Sequence, residues 1–280
     1  MRIIDSNQIT NAVKEMCIEA NYNLSSDMKD VINNSLNQEE SPIGKQIVNQ
    51  LIENMSIAKE ELIPICQDTG MVIVFIKIGQ EVFINGKYIE DAINDGIKLG
   101  YEEGYLRKSV VKDPILRVNT KDNTPGIIHY EVIPGDKIEI IVAPKGFGSE
   151  NMSRVYMLKP SDGVEGIKSA VLETVKLAGP NACPPIVVGI GIGGSFEKAA
   201  LLAKSALIRN VNEHNKLEHI KELEIELLKD INKLGIGPAG LGGRITALGV
   251  NISTYPTHIA GLPVAINICC HVNRHITRVI

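Results

Sequence analysis

Residues 182–200 read ACPPIVVGIGIGGSFEKAA. An apolar run, Ile186-Val187-Val188, enters the glycine-rich Gly189-Ile190-Gly191-Ile192-Gly193-Gly194. An alanine-rich helical pattern follows, with Ser195 placed to cap it. Strand, glycine turn and helix in succession put the chain in a class that mixes α and β. The six-residue run fits G-x-G-x-x-G in the strand-to-helix context that a dinucleotide-binding fingerprint requires. Glu213 lies about 20 residues on, where such a fold keeps its ribose carboxylate. The stretch after Glu213, however, reads as a long charged helix and not as the next strand of a βαβ series. The preferred reading is therefore a tight strand-to-helix turn. A nucleotide-binding oxidoreductase using Gly189–Gly194 stands as the alternative from a different functional class.

Working outward, residues 1 to about 60 carry helical periodicity. Ile9, Val13, Cys17 and Ala20 recur on one face, and Ser41-Pro42 reads as a cap followed by a first-turn proline before Val48, Leu51 and Ile52. Met71 to Ile78 (MVIVFIKI) reads as a strand, and Ile89, Ala92, Ile93, Ile97 and Tyr101 form a helical face. Ile127–Ile133 and Lys137–Val142 flank Pro134-Gly135-Asp136, which predicts a β-hairpin. Asp162 with Glu165 predicts a capping box. Ile220, Leu223, Leu227, Ile231 and Leu234 mark another helix, stopped by Gly235. No repeat, low-complexity tract or clear linker interrupts the chain. The expected fold is mixed α/β (α+β), a helical N-terminal portion packed on a β-containing, glycine-rich domain. Residues 1–280 are expected to form one domain.

Hydrophobic residues make up 44% of the 280 and charged residues 22%, as a globular chain with a sizeable core requires. Trp is absent and aromatics are only 4%, so the core is expected to be aliphatic. The net charge is −4 and no Lys/Arg block exists, which argues against a nucleic-acid or polyanion partner. No apolar run reaches the roughly 20 residues of a membrane span. Met1-Arg2-Ile3-Ile4-Asp5 lacks the apolar stretch of a signal peptide. A cytoplasmic location, with reduced thiols, is expected.

The five cysteines are an odd count and too sparse for a disulfide scaffold, and no C-x-x-C favours a zinc ribbon. Cys17 lies on the apolar face of the first helix and reads as a core residue. Cys66 opens a polar loop between apolar segments, Cys183 opens Cys183-Pro184-Pro185, and Cys270 ends a strand-like run. If 265–270 is a strand, Cys269 and Cys270 face opposite ways and only one serves a given site. Three well-separated thiolates suit a cubane cluster assembled by the fold, which leaves one iron without a protein thiolate. From spacing alone, small core residues and metal ligands both remain open. Lys145-Gly146-Phe147-Gly148-Ser149-Glu150-Asn151 is either an anion site or a surface turn. In Gly235–Gly240, Pro238 removes an N–H and weakens any phosphate cradle. His258 sits among small, rigid residues and is a candidate functional group, whereas His271 and His275 read as surface or packing residues.

Taken together, ICQDTG (65–70), YLRKS (105–109), APKGFGSEN (143–151), ACPPIVVGIGIGGSFEKAA (182–200), GIGPAGLGGRITALGV (235–250) and PTHIAGLPVAINICCH (256–271) resemble a known family. It is that of the alpha subunits of class I (iron–sulfur) fumarate hydratases and the related L-tartrate dehydratases. The resemblance implies a [4Fe–4S] cluster held by Cys66, Cys183 and Cys270, with Cys269 outside the ligand set. The family's Gln-Asp pair falls on Gln67 and Asp68, its substrate-binding arginine on Arg107, and its active-site histidine on His258. Its glycine-rich loop is here KGFGS, with Lys145, Gly146 and Gly148 as substrate-binding candidates and Phe147 in place of the middle glycine. The open iron would act as a Lewis acid, Arg107 would hold a carboxylate by a bidentate pair, and Asp68 and His258 are the candidates for proton transfer.

The resemblance also implies a hydro-lyase acting on a small dicarboxylate. The leading expectation is reversible hydration of fumarate to malate, and the runner-up is tartrate dehydration to oxaloacetate. Relatives take further active-site groups from a beta half for which this sequence has no obvious counterpart. A separate beta subunit, homodimerisation to α2β2, and oxygen sensitivity are therefore expected.

Overall fold

The computed structural model describes all 280 residues, Met1–Ile280. In chain order the strands and helices are β1 (Arg2–Asp5), α1 (Ser6–Tyr22), α2 (Ser26–Gln38), α3 (Pro42–Glu61), β2 (Met71–Gly79), β3 (Val82–Asn85), α4 (Ile89–Glu103), β4 (Ile127–Ile133) and β5 (Ile138–Lys145). Then follow α5 (Phe147–Glu150), β6 (Arg154–Leu158), α6 (Gly163–Ala178), β7 (Ile186–Gly193), α7 (Phe196–Ala206), α8 (Glu218–Asn232), β8 (Ala247–Tyr255), β9 (Leu262–Cys269) and β10 (Ile276–Val279). The class is mixed α/β, as expected. The chain divides into two units, one of Met1–Ser25, Met55–Phe147 and Arg274–Ile280, the other of Ser26–Asn54 and Gly148–Asn273. No helix is long and apolar enough to cross a membrane.

In the first unit Asp5 caps α1, its carboxylate accepting from the Asn7 N–H at 2.8 Å. The main sheet has the order β10-β5-β2-β4. Here the predicted hairpin is corrected. β4 and β5 do not pair with each other; β2 runs between them, parallel to β4 and antiparallel to β5. The Pro134-Gly135-Asp136 connection does reverse the chain, but across the end of β2. Gly79 N–H donates to the Lys137 carbonyl and Glu81 N–H to that of Gly135. A Cβ on Gly79 would lie 2.4 Å from the Gly135 carbonyl oxygen, so only glycine lets the connection pass so closely. One face of β2, with Val72, Val74 and Ile76, is buried, while Phe75 and Lys77 on the other keep some exposure. Val72, Val74, Ile76, Ile138, Ile140 and Val142 pack with Ile9, Val13, Cys17, Ile93 and Ile97, and Tyr101 is the one aromatic in this core.

In the second unit the sheet order is β6-β9-β7-β8, with β7 parallel to β8 and antiparallel to β9. One core gathers Val171, Val175, Val188, Ile190, Leu227, Ile252, Ile266 and Ile268. Gly189 and Gly191 lie inside β7, not in a loop, and α7 rests directly on them. A Cβ at Gly189 would stand 2.3 Å from the Ala203 carbonyl oxygen, and one at Gly191 2.1 Å from that of Ala199. These glycines therefore serve helix-on-strand contact. The outer edge of β8 is closed by buried polar groups, for the Ile252 N–H donates to Glu224 and its carbonyl accepts from Arg209 and Asn215.

Three predicted caps resolve differently. Ser41 Oγ does accept from Gly44 N–H, at 3.2 Å. Asp162 forms no capping box with α6, because its carboxylate accepts from Lys159 N–H and closes the preceding 3-10 turn. Ser195 makes no side-chain cap, its hydroxyl donating to Glu197 instead.

Candidate active site

The Cys66–Gly70 loop of the first unit is held from every side. The Asp68 carboxylate accepts from Gly70 N–H at 3.0 Å through Oδ1 and from Phe147 N–H at 3.0 Å through Oδ2. The same loop is linked to the segment that bears Arg107, since Thr69 Oγ1 donates to the Arg107 carbonyl at 2.8 Å. Tyr101 Oη donates to the carbonyls of Thr69 and Gly70, at 2.6 and 3.0 Å. Burial pushes the Tyr101 hydroxyl pKa up, which keeps it a donor. Asn123, fully buried, donates to the Gly70 carbonyl and accepts from Ser109 and Val110 N–H, and so ties two loops together. Gly70 has φ +82°, and a Cβ there would meet the Lys145 backbone at 2.7 Å. The result brings Cys66, Gln67, Asp68, Arg107, Lys145 and Gly146 into one neighbourhood. Gln67 and Arg107 are exposed and Cys66 is half-buried.

The KGFGS loop differs from the open cradle that its sequence suggests. The Phe147 N–H is taken by Asp68, and Lys145 is buried with Nζ 3.4 Å from the Gly146 carbonyl. A Cβ on Gly146 would stand 3.1 Å from Asp68 Oδ2, close enough to press on that carboxylate, whereas a Cβ on Gly148 would meet nothing.

In the second unit Cys183 is exposed and adopts φ +53°, the left-handed region that non-glycine residues seldom occupy. Its turn rests on the second glycine-rich segment. Ala239 N–H donates to the Pro184 carbonyl at 2.8 Å, and a Cβ on Gly240 would strike Pro180 at 2.4 Å. That segment is thus a platform for the cysteine turn, and its Gly237, Ala239 and Gly240 N–H groups are spent within the protein. His271 Nδ1 lies 3.3 Å from the Cys183 carbonyl, which places Cys183 beside the chain segment of Cys270. Burial of the His271 ring lowers its pKa, opposed by this bond, so the neutral imidazole donates from Nδ1. A packing role for His271, one of the two expected from sequence, thus includes a bond to the cysteine turn. Cys269 is buried, and Cys270, one residue past β9, is half-buried.

His258 is exposed on the Pro256–Gly261 loop. Its Nδ1 accepts from Ala260 N–H at 3.2 Å, which leaves Nε2 to carry the proton of the neutral ring. The loop is tied to the end of β7 by Thr257 Oγ1, which donates to the Gly194 carbonyl at 2.9 Å. Beside His258 lies a cavity of about 340 Å³ lined by Gly163, Val164, Ile167, Thr257 and Leu262.

No disulfide joins any of the five cysteines. Cys66, Cys183 and Cys270 keep some exposure, whereas Cys17 is fully buried and its thiol pKa is pushed up by that burial. The donor chemistry of the three accessible thiols fits a cluster. They do not, however, lie in one unit: Cys66 belongs to the first, Cys183 and Cys270 to the second. Within either unit, no three His, Cys, Asp or Glu side chains gather to hold a metal ion. Tyr101, Asn123 and Arg274, the last donating to the Asp68 carbonyl, are the buried partners of the Cys66–Gly70 loop that sequence reading missed. Only their burial in polar company identifies them.

A sequence model of the family described as Fumarate hydratase (Fumerase) matches residues 10–279. Over 274 residues the chain is 48% identical to a Methanocaldococcus jannaschii protein named "Putative L(+)-tartrate dehydratase subunit alpha", with 95% of each chain covered. It is 32% identical over 272 residues to the L(+)-tartrate dehydratase subunit alpha of Escherichia coli strain K12, covering 96% of this chain and 89% of that relative.

Proposed function

The chain belongs to the fumarate hydratase (Fumerase) family, and from that premise we propose that it is the cluster-bearing alpha subunit of a hydro-lyase. Its reaction is the reversible hydration of fumarate to malate. The single observation that supports a reactive site is the Cys66–Gly70 loop, whose Asp68 carboxylate is fixed by two backbone N–H groups beside the arginine-bearing segment. Cys66, Cys183 and Cys270 would hold a [4Fe–4S] cluster. When bound, it supplies a Lewis-acid iron for hydroxyl or carboxylate oxygen.

This chain's own residues supply the rest. Arg107, exposed on its loop, pairs with a substrate carboxylate through its planar fork. Gln67 donates to a substrate oxygen. Asp68 cannot swing away, because both of its oxygens are engaged, and it presents one orientation to the carbon-bound proton. His258 carries its neutral-form proton on Nε2 and serves as the second proton-transfer group. Lys145, Gly146 and Gly148 of the KGFGS loop complete the proposed substrate-binding set. The remaining substrate carboxylate is held by a separate beta subunit. The word "alpha" in the relatives' names supports that partner, and α2β2 is the expected assembly.

Tartrate dehydration is the second reading, favoured by the names of those same relatives. The two substrates differ by few contacts, so one site chemistry accommodates either. The test is co-expression with a candidate beta subunit, anaerobic purification, and turnover on malate, fumarate and tartrate. Single Cys→Ser variants at 66, 183 and 270 should lose iron, and Cys269→Ser should keep it. Activity should fall in air and return with ferrous iron and thiol. Full iron retention in all three variants would remove the cluster assignment, and no turnover on any of the three acids would remove the hydro-lyase reading.

A further inference from the structure

Three consecutive carbonyls, those of Asp68, Thr69 and Gly70, accept from buried side chains that are far apart in sequence: Arg274, Tyr101 and Asn123. Arg274 differs from the other two in carrying a charge. It is 3% exposed, its Nη2 donates to the Asp68 carbonyl, and its Nε donates to the Pro144 carbonyl at 3.2 Å. Nη1 is buried with no hydrogen-bond partner. Two carbonyls hold this guanidinium, not a carboxylate. Burying such a charge is costly, and an apolar side chain would fill the space at lower cost. What a guanidinium adds is a rigid fork that reaches two acceptors at once. One acceptor belongs to the Cys66 loop and the other to the strand end that leads into Lys145-Gly146-Phe147.

The same two segments are also joined in the opposite sense, by Phe147 N–H donating to Asp68 Oδ2. The β2–β5 ladder pairs Met71 with Lys145 and Val72 with Pro144, and beyond it the loop is tied to the turn by Arg274 and by the Asp68 carboxylate. We propose that Arg274 is a positioning residue. It locks the Cys66-Gln67-Asp68 loop onto the Pro144–Phe147 turn, so that thiol, amide and carboxylate are presented in working geometry. Arg274 does not touch substrate; it acts through Asp68. The inference rests on the reading of Cys66, Gln67 and Asp68 as site residues.

The test uses the full-length chain without cluster, purified anaerobically and treated with iodoacetamide, each cysteine being followed by mass. In Arg274→Gln the Cys66 labelling rate should rise about tenfold as the loop loosens, while Cys183 labels at the wild-type rate. Arg274→Lys, which keeps the charge but not the fork, should fall between. In the loaded complex with its partner subunit, both variants should lose kcat by about 10- to 100-fold while KM moves by less than about threefold. A merely structural role would lower the melting temperature and leave kcat per folded enzyme unchanged. Wild-type Cys66 labelling in the folded variants overturns the proposal, as does unchanged kcat. Loss of folding in both variants also overturns it, since Arg274 would then be a stability residue. If the wild-type complex turns over no dicarboxylate, the hydro-lyase reading falls and the labelling alone decides the clamp.

Discussion

At the scale of single residues, orientation is what the site controls most tightly. Asp68 accepts backbone N–H groups through both oxygens, so its charge is held where its loop needs it. Asp68→Asn removes more than a charge. One oxygen becomes an NH₂ group facing an N–H donor, and the pair repels. Turnover in the loaded complex should therefore fall by about 10²- to 10⁴-fold, the usual contribution of a positioned proton-transfer group. The check is a kcat and KM measurement alongside iron content. A variant with full iron and near-wild-type kcat would take Asp68 out of the reaction.

At the scale of elements, the glycine-rich segments divide into two physical jobs. In β7 they make room for a helix. Gly191→Ala would put a methyl group 2.1 Å from the Ala199 carbonyl oxygen, and backbone cannot move aside as a flexible side chain can. It should cost about 2 kcal/mol or more, seen as a lowered denaturation midpoint. Gly148→Ala, with open space around it, should leave stability within about 0.5 kcal/mol. Around Gly243 the glycines admit a carboxylate. Glu39, 1% exposed, accepts from the N–H groups of Glu40, Ser41, Arg244 and Ile245. Burial alone would raise its pKa from the ordinary 4.5, but these bonds outweigh it and lower the value. A depressed folded-state pKa means stability that is present above pH 4.5 and is lost as pH falls through the folded value. Denaturant unfolding from neutral pH downward should show this loss, and Glu39→Gln should lower stability at pH 7 and flatten the acid dependence. An unchanged acid profile in Glu39→Gln would dismiss the carboxylate as its source.

At the scale of the whole molecule, the loop that bears Arg107 exposes large apolar side chains. Tyr105, Ile115 and Leu116 are 91%, 87% and 77% exposed. Exposed apolar side chains on the loop of a proposed site residue are the kind of surface a second chain would cover. The beta-subunit contact is expected around this loop and those of Cys66 and Lys145, burying well over about 1,000 Å². Purified alone and loaded with iron, the chain should turn over no dicarboxylate. Adding the beta chain should restore activity and raise the mass in solution. Full turnover by this chain alone would overturn the two-subunit reading.

Much of this protein is legible in the amino-acid sequence alone. Periodicity places α1, α3, α4, α8 and β2, because those elements bury one face or both and their apolar spacing records it. The absence of Trp and the scarcity of aromatics point to the aliphatic cores that are present. The motifs in order point to the family that the sequence comparisons show. Other features are decided only in three dimensions. Whether 127–133 pairs with 138–145 depends on a third strand, β2, which local turn chemistry cannot sense. Gly189 and Gly191 look the same whether they cradle a phosphate or admit a helix, and only the position of α7 distinguishes the two. Arg274, Tyr101 and Asn123 converge on one loop from positions up to 206 residues away, and no window of sequence contains that meeting. Sequence records which residue types are at hand and which face they present. Tertiary structure decides which distant polar groups share one buried acceptor, because that depends on chain crossings and not on any local preference.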